Sequence, residues 1–242
     1  MRIDFIDNMK AVGIILVIAG HLNFLVAPVL IEVIYSFHMP LFFFISGFLG
    51  WEKLKGYSIR HCITTCYRTY LKPYVVFFII SVFFFILALI AKGNVEYIGL
   101  DSFVLIFKGF VLGTAGALNV NAVLWFFTAM FITVFASFLC SRCSKYFKTE
   151  VLLLALASLI LLFGVPHQVL NLPWNIAILH ITLFFFTLGG FLRPYILTMT
   201  EKKMKLMHWA ILFVLVGISI YSVHINKRVE LASGVLGGSH SL

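Results

Sequence analysis

Long apolar runs separated by short, mostly basic connections set the pattern of this chain. The runs are continuous rather than alternating at period two, which predicts helices, one of the two structures that satisfy every backbone polar group in lipid. Their limits predict transmembrane helices over roughly Lys10–Ala27, Phe37–Trp51, Tyr74–Ala91, Ala122–Cys140, Val151–Gly164, Asn175–Phe191 and Leu206–Val223. Pro28 is expected to end or bend the first, leaving Val29–Ser36 as an outer connection, and the modest length of the second fits a tilted or partly re-entrant course. Pro73 marks the start of the third, and the polar turn KGNVE its end. Ser102–Leu118 is glycine-rich and interrupted by Lys108, so an interfacial or re-entrant helix is predicted there. The expected fold class is all-α, a polytopic helical membrane protein of about seven transmembrane helices plus one interfacial or re-entrant helix. Residues 1–225 read as a single integral-membrane domain, followed by a polar Gly/Ser-containing tail over 226–242.

Composition agrees: 62% of the 242 residues are hydrophobic and 11% charged, with mean hydropathy +1.07, which excludes an ordinary soluble domain. The net charge of +9 would suit nucleic acid if it formed one block, but the basic residues fall between apolar runs. Topology explains them better. With the amino terminus inside, the cytoplasmic segments hold Arg2 and Lys10; Lys53, Lys55, Arg60, Arg68 and Lys72; Arg142, Lys145 and Lys148; and Arg193, Lys202, Lys203 and Lys205. Only Lys92, Lys108, Lys227 and Arg228, of 18 Lys and Arg, fall on the other side. Trp125 and Trp174 then mark the outer interface. Cys62, Cys66, Cys140 and Cys143 lie in or beside cytoplasmic segments, where thiols are expected, and the lone CxxC of Cys140 and Cys143 is a weak metal signal.

Candidate chemistry is concentrated in the first helix. Ionisable groups in an apolar helix cost several kcal/mol unless accommodated, so they mark functional positions. Lys10 and His21 are eleven residues apart, which at about 100° and ~1.5 Å per residue puts them on one face and ~16 Å apart along the axis. A neutral, buried His21 can accept a proton as a general base; the competing role is a hydrogen bond to a neighbouring helix. Asp7 can pair with Lys10 at i, i+3. His38 and Pro40 are read as opening the second helix, with the imidazole facing the same outer half as His21. Ser46 and Gly47 fit close helix packing better than a catalytic serine, and His180 is a third intramembrane imidazole with a structural role equally open. Arg60, Arg68 and Lys72 could bind the phosphates of an anionic cofactor, although lipid headgroups or topology would also account for them. No HExxH, Cys/His cluster or Walker loop supports metal or nucleotide chemistry.

In these residues the chain resembles acyltransferase family 3, the bacterial integral-membrane acyltransferases, and especially the branch related to fucose 4-O-acetylase. The basic residue, ten intervening positions and histidine of that family match Lys10 to His21. Its second signature resembles FHMPLFFFISG at Phe37–Gly47, its basic stretch before a proline resembles RTYLKPY at Arg68–Tyr74, and its tryptophan-led span resembles LWFFTAMF at Leu124–Phe131. FFFTLGGFLR at Phe184–Arg193 looks like a later glycine-containing span of the family. The resemblance implies about ten spans, so a carboxyl-terminal portion is expected to be missing.

The same resemblance implies an O-acyltransferase of the bacterial cytoplasmic (inner) membrane, multi-pass with its amino terminus in the cytoplasm. It would move an acetyl or other acyl group from acetyl-CoA to a hydroxyl of a glycan or similar cell-envelope acceptor, without a metal. His21 would be the general base, with Lys10, Asp7 and His38 in the catalytic set and Lys10, Arg68 and Lys72 on the donor. The partners are then the acyl-CoA, the acceptor and the lipid bilayer, with no nucleic acid. Two alternatives stand beside this reading: a proton-coupled membrane transporter, which also places ionisable groups in the bilayer, and an inactive truncated member of the acyltransferase family.

Overall fold

The computed structural model describes residues 4–22, 28–142, 172–201, 229–230 and 235–236. Seven α-helices account for most of them: α1 (Asp4–His21), α2 (Pro28–Gly56), α3 (Ile59–Cys66), α4 (Lys72–Ala91), α5 (Leu100–Leu112), α6 (Trp125–Arg142) and α7 (Leu179–Glu201). A π-helical turn, Tyr67–Leu71, joins α3 to α4, and a 3-10 segment, Pro173–Ile178, leads into α7. Val229–Glu230 pairs antiparallel with Val235–Leu236. Four helical stretches among the described residues are long and apolar enough to cross a membrane: Val33–Gly56, Ile59–Ala91, Ala122–Arg142 and Pro173–Thr198. The chain is thus helical and of multi-pass membrane type. The spans expected at Val151–Gly164 and Leu206–Val223 lie outside the described residues, as does the end of the first at 23–27.

Several sequence expectations are corrected. Val29–Ser36 is not a connection but the first two turns of α2, and Pro28 starts that helix. The segment is mostly apolar and lacks glycine, and proline suits a first helical turn because its missing N–H needs no intrahelical partner. Pro40 therefore lies inside α2 instead of opening it, and Pro194 likewise lies inside α7. In water such prolines would break a helix, but where unpaired backbone is costly the helix continues through them. The basic connection before Pro73 is helical as well: Ser58 caps α3, its hydroxyl accepting from the His61 N–H at 3.2 Å. The span predicted at Asn175–Phe191 starts with the 3-10 turn at Pro173 and continues to Glu201.

The chain divides into two compact units. In the first, which holds α1, α2 up to Glu52 and α7 from Phe184, α1 presents Ile6, Gly13 and Gly20 at seven-residue spacing. Ile6 packs with Ile45 and Phe48. A Cβ on Gly13 would come within 2.9 Å of the Phe42 ring, and one on Gly20 within 3.4 Å of Ile34. Contacts that run down α2 as they climb α1 make an antiparallel pair, joined along a glycine seam that permits close backbone approach. A second glycine seam binds α2 to α7, with Gly47 against the Phe186 backbone, Gly189 against the Phe44 carbonyl and Gly190 under the Trp51 ring.

In the second unit, α4 and α5 meet through the Tyr74 hydroxyl, which donates to the Phe110 carbonyl at 2.7 Å, and through their stacked rings, 5.3 Å apart. Helix α5 has 13 residues, ~20 Å of length against a ~30 Å hydrocarbon core, too short to cross it. It stops at Gly113, which takes the left-handed conformation (φ +62°). Buried Asn175, itself left-handed (φ +61°), aims its Nδ2 at the Gly113 and Trp125 carbonyls and the Thr128 hydroxyl, at 3.0, 3.2 and 2.9 Å. Its neighbour Trp174 (φ +58°) donates from Nε1 to the Val111 carbonyl at 2.8 Å. Leucine at 175 would both strain the backbone and leave buried acceptors bare, so Asn175→Leu is expected to cost about 2–4 kcal/mol. A fall in the thermal midpoint in detergent checks this, with Ile176→Leu, at an exposed position, expected to be silent.

Candidate active site

Helix α1 is unbroken from Asp4 to His21, so the predicted relation between Lys10 and His21 holds in the fold. Measured round the axis from Ile6, at 100° per residue, the seam glycines fall within ~40° on one side and Lys10 and His21 at ~40° and ~60° on the other. Lys10 and His21 therefore share one flank of the α1–α2 seam. Asp7 and Lys10 form the i, i+3 ion pair expected of them, Oδ1 to Nζ 3.3 Å, both side chains 42% exposed. One of three ammonium donors is used in that pair.

Opposite His21 stands α2. His38 lies between Ile34, which meets Gly20, and Phe42, which meets Gly13, so it occupies the middle of the seam and is buried. Its Nδ1 is 2.7 Å from the Ile34 carbonyl. A carbonyl can only accept, so that nitrogen carries the proton and Nε2 of the neutral ring keeps its lone pair. His21, expected to be buried, is instead exposed, because it is the last residue of α1 and lies to one side of the seam. Tyr35 ties the two together: its hydroxyl donates to the Gly20 carbonyl at 3.3 Å, one residue before His21, and its ring meets His38 edge-on with centroids 5.2 Å apart. Ser46 is half-buried, and Gly47 is spent on packing against α7.

Arg68 and Lys72 belong to the second unit, where both are exposed at the π-turn and the start of α4; Arg60 is exposed on α3. A π-turn inserts an extra residue per turn and re-aims the side chains around it, often at functional sites. His180 is also in the second unit and half-buried. Cys62 and Cys66 are free thiols. Among the described residues, no three metal-ligating side chains converge.

Two residues escape sequence reasoning. Tyr35 falls in the stretch expected to be a connection; its three-residue spacing from His38 would signal a shared face only once that stretch is taken as helix. Arg193, counted among topological charges, lies over the Phe48 ring at 5.1 Å and donates to the Phe48 carbonyl at 2.5 Å. It clamps α7 onto α2 beside the cluster of Ile6, Ile45 and Phe48.

No curated protein and no solved structure matches the chain. A family model described as an acyltransferase domain does, over residues 3–226, a span that takes in both units and every candidate residue above. A chain matched over nearly its whole length, in which the basic residue and histidine of α1 flank one helix seam, belongs to acyltransferase family 3.

Proposed function

We propose that this protein transfers an acetyl group, or a short acyl group, from acetyl-CoA to a hydroxyl of a glycan or similar cell-envelope acceptor, in the bacterial inner membrane with its amino terminus in the cytoplasm. The family supports acyl transfer in the membrane. The observation that carries the finer reading is the shared flank of Lys10 and His21, ~16 Å apart along α1, one near the polar end of the helix and one at its last residue, beyond the apolar run.

An imidazole nitrogen of His21 takes the acceptor's hydroxyl proton as the oxygen forms its bond to the thioester carbon. The carbon–sulfur bond then breaks, and the departing CoA thiolate takes the proton from the imidazolium, leaving an ester and free CoA. Lys10 offers its spare ammonium donors to the donor's negative charge, with Asp7 holding the side chain in place. Arg68 and Lys72, exposed and four residues apart, supply charge for the CoA phosphates. The excess of Lys and Arg on one side supports the orientation, which puts the polar end of α1 where CoA is found.

Equilibrium binding of radiolabelled acetyl-CoA to the purified protein in detergent tests the donor half. Saturable binding is expected, weakened about 10- to 150-fold by Lys10→Ala and by Arg68→Ala, in keeping with about 1.5–3 kcal/mol for a charge-assisted hydrogen bond. Folded protein that binds no acetyl-CoA, or that moves a solute against a proton gradient, would overturn the reading in favour of a transporter.

A further inference from the structure

We propose that His21 and His38 handle the transferred proton together and that Tyr35 is the residue that positions both rings. This rests on His21 as the base and assigns roles to the residues across the seam from it. Three contacts carry the inference. The Ile34 carbonyl holds the proton of His38 on Nδ1 and so leaves Nε2 as a proton acceptor. The Tyr35 hydroxyl fixes the Gly20 carbonyl, and with it the backbone from which His21 projects. The Tyr35 ring edge meets His38 from the same helix face. The seam holds the same stretch of backbone from the side, since Gly20 lies against Ile34 and the Tyr35 ring, with 3.4 and 3.7 Å left for any added Cβ.

A neutral imidazole with one nitrogen donating keeps the other as an acceptor. Among the described residues the hydrogen bond to Ile34 engages Nδ1 alone. In the reaction, the proton taken from the acceptor hydroxyl is shared between His21 and Nε2 of His38 while the new carbon–oxygen bond forms. It leaves for the CoA sulfur when the carbon–sulfur bond breaks, so one proton is moved and none is gained. Tyr35 touches no reacting atom and acts through the two rings.

The test uses the full chain in lipid nanodiscs, with nitrogen-15 histidine spectra for the rings and hydrolysis of acetyl-CoA for turnover, water standing in for the acceptor. His38→Asn keeps an amide N–H at the position of Nδ1, and so the bond to Ile34, but removes Nε2. Tyr35→Phe removes only the hydroxyl. The wild-type spectrum should show His38 with its proton on Nδ1, and Tyr35→Phe should shift the signals of both His21 and His38. Both variants should lower kcat about 10- to 100-fold with KM for acetyl-CoA unchanged, the size of loss that misplacement by about 1 Å produces. A His38 proton on Nε2, a Tyr35→Phe spectrum matching wild type, or wild-type kcat in both variants would overturn the proposal. If His21→Ala alone abolishes turnover, the base stands and the pair falls; if His21→Ala turns over normally, the reading beneath it falls.

Discussion

His21→Ala is expected to reduce acyl transfer by about 10²- to 10⁴-fold, the range that a positioned general base contributes, while leaving the protein folded and able to bind acetyl-CoA. His21 is exposed on α1, next to but outside the Ile6–Gly13–Gly20 seam, so removing its ring opens no cavity between helices. The loss should appear in kcat and in kcat/KM alike, because a base acts on the transition state and not on the bound donor. Lys10→Ala should do the opposite and raise KM more than it lowers kcat. Its side chain meets donor charge that is present before the reaction starts. Steady-state release of CoA thiol from purified variants separates the two patterns. Equal losses in binding for both variants would show that His21 serves only to hold the donor.

Gly47→Val is expected to destabilise the first unit by about 3 kcal/mol or more and lower its thermal midpoint by several degrees. Even a methyl group there would sit inside van der Waals distance of the Phe186 carbonyl, which is backbone and cannot swing aside. Gly189 is the reciprocal position, pressed on the Phe44 carbonyl, so the two substitutions should cost similar amounts and combine to less than their sum. Gly56→Ala provides the control: nothing lies within 4 Å of its added Cβ, and helix propensity favours alanine. Thermal unfolding followed in detergent distinguishes a packing seam from a set of unrelated glycines. Equal midpoints for Gly47→Val and Gly56→Ala would contradict the seam.

Much of this arrangement is legible in the amino-acid sequence, and the parts that are not have physical causes. Composition and run length reveal helices in a membrane, and the eleven-residue interval between Lys10 and His21 places both on one face because an unbroken helix leaves no freedom. The i, i+3 pair of Asp7 with Lys10 follows from the same periodicity. Prolines mislead. Pro28 reads as a stop and Pro40 as a start, since in water both are punctuation; in a chain that must satisfy its backbone internally, Pro28 begins α2 and Pro40 lies within it. That one reassignment hides Tyr35, which becomes a helical neighbour of His38 only when Val29–Ser36 is helical.

The glycines divide in the same way. Gly47 reads as a close-packing residue, but its partner, the backbone of Phe186, lies 139 positions on and no local pattern announces it. The left-handed pair Trp174 and Asn175 is nearly as silent: asparagine is enriched at positive φ but takes it in a small minority of cases, and tryptophan gives no such signal. Arg193 carries a charge that topology alone explains, and only its contacts with Phe48 reveal it as a clamp.

Transfer of label from [acetyl-¹⁴C]acetyl-CoA reads the whole reaction at once: purified protein in nanodiscs is incubated with the donor and a bacterial envelope glycan fraction, beside His21→Ala. Base-labile label is expected in the glycan, with one CoA thiol released for each acetyl transferred and loss of both in His21→Ala. Folded wild-type protein that leaves the label on CoA, or His21→Ala that transfers it at the wild-type rate, would contradict this.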